Sequence, residues 1–206
     1  MLFVDIKKQL SHFKLQVNFS VKNDEIVVLH GPSGSGKTTI LNGIAGIISL
    51  DEGEIRLAGE ALYRQGKQLV PIQQRNIGYV FQEGALFPHK TVWENIVYGM
   101  KNETFALSLI EELAISHLKD KFPKEISGGE KQRVAFVRAL VTEPKLLLLD
   151  EPFSALDDEM RKKALHILYK VQSQSHIPVV FITHQVDEHH IIPTRRIHVQ
   201  KGEILS

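Results

Sequence analysis

Alternating apolar and polar positions mark the first clear strand of the chain. From residue 13 to residue 22 the side chains alternate in this way, which is the period of a β-strand with one buried face. Asn23-Asp24 forms a predicted turn, and the short β-branched run Ile26–Leu29 is typical of a buried strand. A glycine-rich loop follows and leads into a helical pattern that starts near Ile40. The order strand, loop, helix is therefore predicted here.

The same patterns predict further elements along the chain. Strands are expected at Glu54–Leu57, Ile77–Phe81, Leu146–Leu149, Val179–Thr183 and Arg196–Val199. Long helices are expected at Phe105–Ile115 and Asp158–Gln172, and the stretch from about Glu83 to Val141 reads as almost entirely helical. Strands alternate with helices at both ends of the chain, which predicts an α/β core with an inserted helical part.

Composition and charge narrow the class of protein. The 206 residues are 43% hydrophobic and 24% charged, as in soluble globular domains, and a net charge of +1 gives no reason to expect nucleic acid as a partner. The absence of cysteine excludes disulfides and thiolate metal sites. The amino terminus lacks a signal-peptide pattern, and no apolar run approaches the roughly 18 residues that cross a bilayer. We therefore expect a protein that is not exported and that meets a membrane only through a partner.

The glycine-rich loop fits the pattern G-x-x-x-x-G-K-[ST] between a strand and a helix. In such loops the backbone amides surround phosphate, Lys37 would reach the β- and γ-phosphate oxygens, and the Thr38 hydroxyl would bind Mg²⁺. A plain glycine-rich turn is the alternative, but the pattern arises by chance in only roughly one chain of this length in a hundred. Nucleotide binding is therefore predicted for Gly31, Pro32, Ser33, Gly34, Ser35, Gly36, Lys37, Thr38 and Thr39.

The apolar strand Leu146–Leu149 ends in two acids, Asp150 and Glu151. Burial of two carboxylates without a counter-charge is costly, so they need a chemical reason. Beside a phosphate-binding loop, Asp150 is predicted to hold Mg²⁺ and Glu151 to orient and deprotonate the attacking water. The alternative is a pair of solvated acids that begin a turn.

A second corner, Ser127-Gly128-Gly129, begins a helical run to about Val141 and could also bind phosphate at a helix N-terminus. This corner, the glycine-rich loop and the Asp-Glu pair come in the order and spacing of the ABC transporter ATPases, which the chain resembles essentially end to end. The resemblance implies a P-loop NTPase core of ABC-ATPase type with an antiparallel β subdomain and an inserted α-helical subdomain. It implies one domain, in which residues 1–82 and 143–206 form the ATP-binding core and about 83–142 the helical subdomain.

Three further residues take their roles from this resemblance. Gln82 matches the Q-loop glutamine that senses Mg²⁺ and γ-phosphate, Asp157 in Ser-Ala-Leu-Asp matches the D-loop, and His184 matches the switch histidine that contacts γ-phosphate. Alone they could be a polar strand end, a helix N-cap and a satisfied histidine. His184 is followed by Asp187, Glu188, His189 and His190. These lack the H-E-x-x-H spacing of a zinc site, so we expect a partly exposed short helix there and no metal.

The resemblance also implies a shared active site, because in the family the Ser-Gly-Gly corner closes over ATP bound to another subunit. Two subunits would sandwich two MgATP molecules about a twofold axis. Lys37, Glu151, His184 and Gln82 are the predicted catalytic residues, and Thr38, Gln82 and Asp150 the predicted metal ligands. Ser127, Gly128, Gly129, Glu130 and Asp157 would face the partner's nucleotide or the partner. A lone subunit should then be a poor ATPase.

Two positions depart from the family's usual pattern. Ile126 stands for a leucine with little change of volume, but Glu130 places a charge where the family has glutamine. This carboxylate suits the helix dipole, yet it would repel a γ-phosphate unless it faces the ribose or solvent. Members of the family commonly stack adenine on an aromatic residue near the start of the chain, and here the short connection before the strand at Phe13 offers only His12 or Phe13. Alternation places Phe13 in the core, so His12 is the predicted adenine contact.

The segment from Asn76 to Met100 resembles the importer branch, and especially the molybdate-type importer ATPases. There it receives a short helix of the permease. Leu86, Phe87 and Trp93 fit such a groove, and equally the core of the helical subdomain. The resemblance implies integral-membrane permease subunits as partners, a second copy of the chain, indirectly a substrate-binding protein, and a location on the cytoplasmic face of the membrane. Because the sequence stops at Ser206, we expect no carboxy-terminal regulatory domain.

Two other functions remain as alternatives. A soluble ABC-type ATPase acting on nucleic acid or ribosomes usually carries coiled-coil insertions or two cassettes, and this sequence shows neither heptads nor an internal repeat. A P-loop kinase would have no use for a second phosphate corner. ATP and Mg²⁺ are the expected cofactors in the favoured function, an importer ATPase.

Overall fold

One sheet runs through the part of the chain that the computed structural model describes, residues 1–184 and 191–205. Its strands are β1 (Leu2–Gln9), β2 (Lys14–Val21), β3 (Ile26–His30), β4 (Glu52–Leu57), β5 (Glu60–Arg64), β6 (Lys67–Gln68), β7 (Ile77–Val80), β8 (Leu146–Asp150), β9 (Val179–Ile182), β10 (Arg195–Gln200) and β11 (Glu203–Leu205). The α-helices in these ranges are α1 (Lys37–Ala45), α2 (Val92–Val97), α3 (Glu103–Glu112), α4 (Gly128–Leu140) and α5 (Asp158–Ser175).

The sheet has an antiparallel part and a parallel part. The strand order is β6-β5-β4-β1-β2-β11-β10-β3-β9-β8-β7. Neighbours from β6 to β2 are antiparallel, whereas β10, β3, β9, β8 and β7 are parallel. The predicted α/β P-loop core with an antiparallel β subdomain and α-helical subdomain is confirmed. In the parallel part, the carboxyl ends of β3, β8 and β9 share one edge, where open α/β sheets bind their ligands.

Most predicted elements lie where the pattern places them, but one prediction was wrong, and the strands β1, β5, β6 and β11 were not predicted. The strand β1 was missed, although Leu2, Val4 and Ile6 are fully buried at alternate positions. The stretch from Glu83 to Val141 contains less helix than predicted, because the chain between β7 and α2 is irregular. Short 3₁₀ turns at Ser116–Leu118 and Pro123–Glu125 replace further helix between α3 and α4.

Two hydrophobic clusters lie on opposite faces of the sheet. Alternate residues of β8 enter different clusters, since Leu147 and Leu149 join the cluster of α2 to α5, while Leu146 and Leu148 join that of α1. A strand buried on both faces needs this continuous apolar run. The helical part thus shares a core with β8, and the division of one domain at residues 82 and 143 stays a prediction. Of the helices in the described ranges, none is long and apolar enough to span a bilayer.

Arg75 joins the antiparallel part of the sheet to the end of α1. It is 2% exposed, and its guanidinium donates to the backbone carbonyls of Ile44 (2.8 Å), Val70 (3.1 Å) and Leu62 (3.4 Å). Burial lowers the pKa of Arg75, and a cation at the carboxyl end of a helix is favourable to the helix dipole. Arg75 therefore fixes the helix that follows the glycine-rich loop.

Replacing Arg75 by methionine should lower the free energy of unfolding by about 3 kcal/mol, because two buried carbonyls and one partly buried carbonyl lose a charged donor. The control is Arg56→Met, since the Arg56 side chain is 49% exposed and pairs with Glu54 at 2.6 Å on the surface. That change should alter the free energy of unfolding far less than Arg75→Met does, because surface ion pairs contribute little. Urea unfolding measures both, and equal effects would contradict the role of Arg75.

Candidate nucleotide-binding site

The glycine-rich loop joins β3 to α1 through backbone that only glycine tolerates. Gly36 precedes α1 in the left-handed region, with φ of 102°. At Gly31, φ is 143°, and a Cβ atom would lie 2.0 Å from the Val199 carbonyl oxygen on β10. The loop therefore turns tightly between strand and helix and presents the first amides of α1, which lack partners within the helix.

Lys37 brings a positive charge to the mouth of this loop. Its side chain is largely buried, and its Nζ donates to the backbone carbonyls of Gly31 (2.9 Å) and Pro32 (2.8 Å). Burial lowers the pKa of Lys37, while the nearby carboxylates of Glu151 and Asp150 act in the opposite direction. Both hydrogen-bond acceptors are uncharged carbonyls, so neither of them neutralises the ammonium.

Asp150 and Glu151 follow β8 with different surroundings. Asp150 is 3% exposed, and burial raises its pKa, while a hydrogen bond from the Thr38 side chain opposes this shift. Glu151 has a left-handed backbone with φ of 47°, and its Oε1 lies 3.0 Å from Nε2 of His184. One acid therefore faces the glycine-rich loop, and the other pairs with His184.

The Asp150 side chain fits a hard divalent cation. Its Oδ1 is buried and has no hydrogen-bond partner among the described residues. A nearby cation would offset this carboxylate, and carboxylate and hydroxyl oxygens such as those of Asp150 and Thr38 are the ligands that Mg²⁺ prefers. Residues 1–184 and 191–205 contain no cluster of three His, Cys, Asp or Glu suited to a metal. Asp187, Glu188, His189 and His190, for which no metal and a short helix were predicted, lie outside the described residues.

One cavity of about 420 Å³ brings the widely separated candidate residues together. Its lining comprises Leu10, Ser11, His12, Phe13, Ser33, Gly34, Gly36, Lys37, Thr38, Thr39, Gln82, Glu151, Ile182 and His184. Of the residues predicted to hold the chain's own MgATP, four do not line it: Gly31, Pro32, Ser35 and Asp150. Gly31 and Pro32 act through their carbonyls on Lys37, and Asp150 lines a neighbouring groove with Thr38 and Gln82. The cavity size suits a small-molecule ligand.

The far end of this cavity is formed by the turn between β1 and β2. The prediction that Phe13 belongs to the core was wrong, because Phe13 lies in this turn, is half-buried and faces the cavity. The regular alternation of β2 starts only at Leu15, after a backbone hydrogen bond from Leu10 N to Phe13 O (3.0 Å) reverses the chain. His12 is exposed and also lines the cavity, so its contact with adenine stays a prediction, and Phe13 is a second candidate.

The Ser127 corner is closed by its own glutamate. The Ser127 amide donates to Glu130 Oε2 (2.7 Å), the Ser127 hydroxyl donates to the same oxygen (2.8 Å), and the Glu130 amide donates back to Ser127 Oγ (3.3 Å). This reciprocal capping box lowers the pKa of Glu130, with smaller contributions from Arg133 and His117. The carboxylate therefore hydrogen-bonds back to the helix end, and its orientation relative to a bound nucleotide stays a prediction.

The Ser127 corner lies apart from the cavity of its own chain. Ser127 and Gly128 are exposed, and none of Ser127, Gly128, Gly129 and Glu130 lines the cavity, although the structure describes all four. Asp157 is also exposed and caps α5 by accepting from the Met160 amide (2.9 Å), as its N-cap reading predicts. The corner is therefore accessible to a ligand outside the chain's own cavity, which would replace Glu130 as the acceptor of the Ser127 donors.

Known proteins share this sequence pattern. The family profile described as ABC transporter matches residues 15–154. A molybdenum import ATP-binding protein ModC of Haemophilus influenzae is 43% identical over 192 residues, which cover 91% of this chain and 54% of that protein. The protein of the same name from Haemophilus ducreyi is 40% identical over 210 residues, which cover 100% of this chain and 60% of that protein. The chain thus spans only 54% to 60% of the length of these two relatives.

Two solved structures are similar to the whole chain. One is the dimeric structure of a post-hydrolysis state of the ATP-binding cassette MJ0796 bound to ADP and Pi, with a TM-score of 0.85 and 28% identity, covering 100% of this chain and 97% of that one. The other is the dimeric structure of MJ0796 described as a bacterial ABC transporter cassette, with a TM-score of 0.86, 28% identity and the same coverage.

Proposed function

Since the chain belongs to the ABC transporter family, we propose that it binds and hydrolyses ATP to power transport by a membrane permease. The observation that carries this proposal is the convergence of Lys37, Glu151 and His184 on one cavity, while the Ser127 corner lies exposed elsewhere. A second copy of the chain supplies the missing corner, so that two chains enclose two nucleotides. The dimeric assembly of the two similar cassettes supports this arrangement.

The cavity residues divide the work of phosphoryl transfer. The loop amides and Lys37 hold the phosphates, and Glu151 Oε1 accepts a proton from the attacking water. His184, within hydrogen-bonding distance of Glu151, orients that carboxylate and contacts the γ-phosphate. Thr38, Asp150 and Gln82 would hold Mg²⁺, which when bound offsets the charge that develops on the phosphate oxygens.

A neighbouring groove of about 550 Å³ suits a short helix of the permease. It is lined by Thr38, Asn42, Ile47, Phe81, Gln82, Glu83, Ala85, Leu86, Pro123, Lys131 and Asp150. Ile47 is 45% exposed, so the groove offers an apolar surface to an amphipathic helix. Gln82 lines both the groove and the nucleotide cavity. A movement of Gln82 on ATP binding can therefore be transmitted to a permease helix in the groove.

The three apolar residues considered for this groove have separate positions. Leu86 lines the groove and also packs against the main core, so it fits both the interpretation as a groove residue and the interpretation as a core residue. Trp93 does not line the groove. It packs against the core and beneath the Lys119 ammonium, which lies 4.9 Å from its ring centre. Phe87 packs on Tyr98, with ring centres 4.8 Å apart. Of the three, we propose only Leu86 as a permease contact.

Both relatives are named as molybdenum import proteins. We propose molybdate or another oxyanion as the transported substrate, delivered to the permease by a substrate-binding protein. The chain would then act at the cytoplasmic face of the cell membrane, without nucleic acid. The alternative, a soluble ABC-type ATPase acting on nucleic acid or ribosomes, is not favoured by these relatives.

Affinity purification of the tagged chain from native membranes in MgATP tests the partner. Recovery of a permease is expected, and recovery of ribosomes or DNA-repair proteins instead would overturn the importer.

Uptake of molybdate, sulfate and phosphate by a deletion strain tests the substrate. Unchanged uptake of all three would remove the oxyanion from the proposal but leave the ATPase standing.

Replacing Glu130 by glutamine should lower the MgATP concentration for half-maximal dimerisation roughly fivefold. The glutamine can keep the capping box, while one negative charge near the bound phosphates is lost, an effect of about 1 kcal/mol. The control is Glu94→Gln, because Glu94 forms the same capping box with Thr91 at the start of α2. Light scattering over an MgATP titration measures both. Equal behaviour of the two variants would show that the Glu130 charge does not face the nucleotide.

A further inference from the structure

Gln132 connects two parts of the chain that the proposed function assigns to different ATP molecules. It is 5% exposed and lies on α4, the helix that Ser127 caps. Its Nε2 donates to Ser154 Oγ (3.0 Å) and to the Glu151 carbonyl (3.4 Å). Its Oε1 accepts from the Ala155 amide (2.9 Å). One buried side chain thus forms hydrogen bonds with three residues of the segment after β8, namely Glu151, Ser154 and Ala155.

These bonds act on the residue that carries the proposed catalytic carboxylate. Glu151 has a left-handed backbone conformation, which residues other than glycine rarely adopt. Surrounding contacts must therefore maintain it. Its amide donates to the Ile182 carbonyl on β9 (3.0 Å), and its carbonyl accepts from Gln132 and from Ser154 Oγ (3.2 Å). The direction of the Glu151 side chain, towards His184, is therefore fixed from β9 on one side and from α4 on the other.

The first turn of α4 also rests directly on the same segment. A Cβ atom at Gly129 would lie 2.8 Å from the Ala155 carbonyl oxygen and 3.3 Å from a Leu156 methyl carbon. Only glycine permits this approach of the helix backbone, which gives Gly129 a structural task within its own chain. Because a helix moves as a stiff unit, displacement of the Ser127 end carries Gln132 with it.

We propose that Gln132 is a positioning residue that couples the Ser127 corner to Glu151, an inference that rests on the proposed function. When the corner closes on the partner's ATP, α4 and Gln132 set the orientation of Glu151 towards the chain's own ATP. Each chain of the dimer thus links the two nucleotide sites. A glutamine that served only to satisfy buried polar groups would affect stability without this effect on turnover.

The test compares three variants of the full chain. Gln132→Met removes all three hydrogen bonds at similar side-chain length, and Gln132→Glu keeps the acceptor for the Ala155 amide but removes the donor. The control is Gln172→Met. Gln172 lies on α5, outside the cavity lining, and is 3% exposed. It donates to the carbonyls of Ile177 (3.3 Å) and Asn23 (3.5 Å). Steady-state ATPase assays give kcat, KM and the Hill coefficient. Hydrogen exchange without nucleotide reports the backbone of residues 151–156.

We expect Gln132→Met to lower kcat about tenfold or more, with KM changed less than about threefold and the Hill coefficient reduced towards 1, because a small misplacement of a reacting group is costly. Exchange at residues 151–156 should accelerate. Gln132→Glu should lower kcat while the Ala155 amide stays protected from exchange. If the methionine variant does not fold, the kcat and exchange of Gln132→Glu test the proposal in its place. Gln172→Met should lower the melting temperature only.

Unchanged kcat and unchanged exchange in both Gln132 variants would overturn the proposal, as would a loss of kcat in Gln172→Met equal to that in Gln132→Met. Failure of the proposed function is distinguishable from this. A folded wild-type chain that hydrolyses no ATP at any concentration would refute the function, while the exchange of residues 151–156 would still show whether Gln132 holds the segment.

Discussion

Replacing Glu151 by glutamine is expected to lower the rate of ATP hydrolysis about 10³-fold while MgATP affinity changes less than about threefold. The amide has nearly the same shape as the carboxylate but cannot accept the proton of the attacking water, and general-base catalysis typically contributes ~10²–10⁴ in rate. Lys37 and the loop amides, which we propose hold the phosphates, are unchanged. Phosphate release at steady state and equilibrium binding of a fluorescent ATP analogue measure the two quantities.

Glu143 provides a matched control for this variant. It is exposed, lies outside the cavity lining, and has the same left-handed backbone as Glu151, with φ of 46° against 47°. Glu143→Gln therefore tests whether a glutamate-to-glutamine change at positive φ is itself harmful, and we expect it to hydrolyse ATP at the wild-type rate. If Glu151→Gln kept more than about a tenth of the activity, Glu151 would not be the general base.

Replacing Lys37 by alanine is expected to weaken MgATP binding about 10²-fold and to abolish dimerisation driven by ATP. Charged hydrogen bonds to phosphate are each worth about 1.5–3 kcal/mol, and Lys37 is the cation held at the mouth of the loop. Burial already lowers the pKa of Lys37, so wild-type affinity should fall as the pH rises through that lowered pKa. Isothermal titration calorimetry at several pH values measures both effects.

Lys162→Ala serves as the control for Lys37→Ala, since Lys162 is an exposed lysine of α5 that does not line the cavity. It should bind MgATP with wild-type affinity. Normal ATP-dependent dimerisation of Lys37→Ala would refute the assignment of the glycine-rich loop as the phosphate site. A thermal unfolding curve of each variant separates loss of binding from loss of structure.

The elements that could be predicted are those whose signal is local in the sequence. The glycine-rich loop and the strand that ends in Asp150 are contiguous runs, so their spacing alone places them. The strand β1 carried a usable signal in the buried alternation of Leu2, Val4 and Ile6. It was missed because the apolar Phe3 interrupts the pattern and the segment was considered only as a possible signal peptide.

Two site features could also have been found from the sequence. Ser127 and Glu130 stand three residues apart at a helix start, which is the capping-box pattern, but Glu130 was considered only as a charge, near the helix dipole and the phosphates. Phe13 was placed in the core by extending the alternation of β2 past its first residue, into a turn.

The contacts of Gln132 could not have been predicted in this way. Its partners at Glu151, Ser154 and Ala155 lie 19 to 23 residues away along the chain. Only the packing of α4 against the segment after β8 brings them together, and no local pattern encodes that packing. The same holds for the cavity itself, which joins residues from the turn after β1 to His184.

Under the proposed function, each chain holds half of each active site, and a second copy completes it. The most direct measurement is the molar mass of Glu151→Gln by size-exclusion chromatography with light scattering, with and without saturating MgATP. We predict the mass of one 23.3 kDa chain without nucleotide and twice that mass with MgATP. A single-chain mass at saturating MgATP, with binding of the nucleotide verified, would contradict the claim.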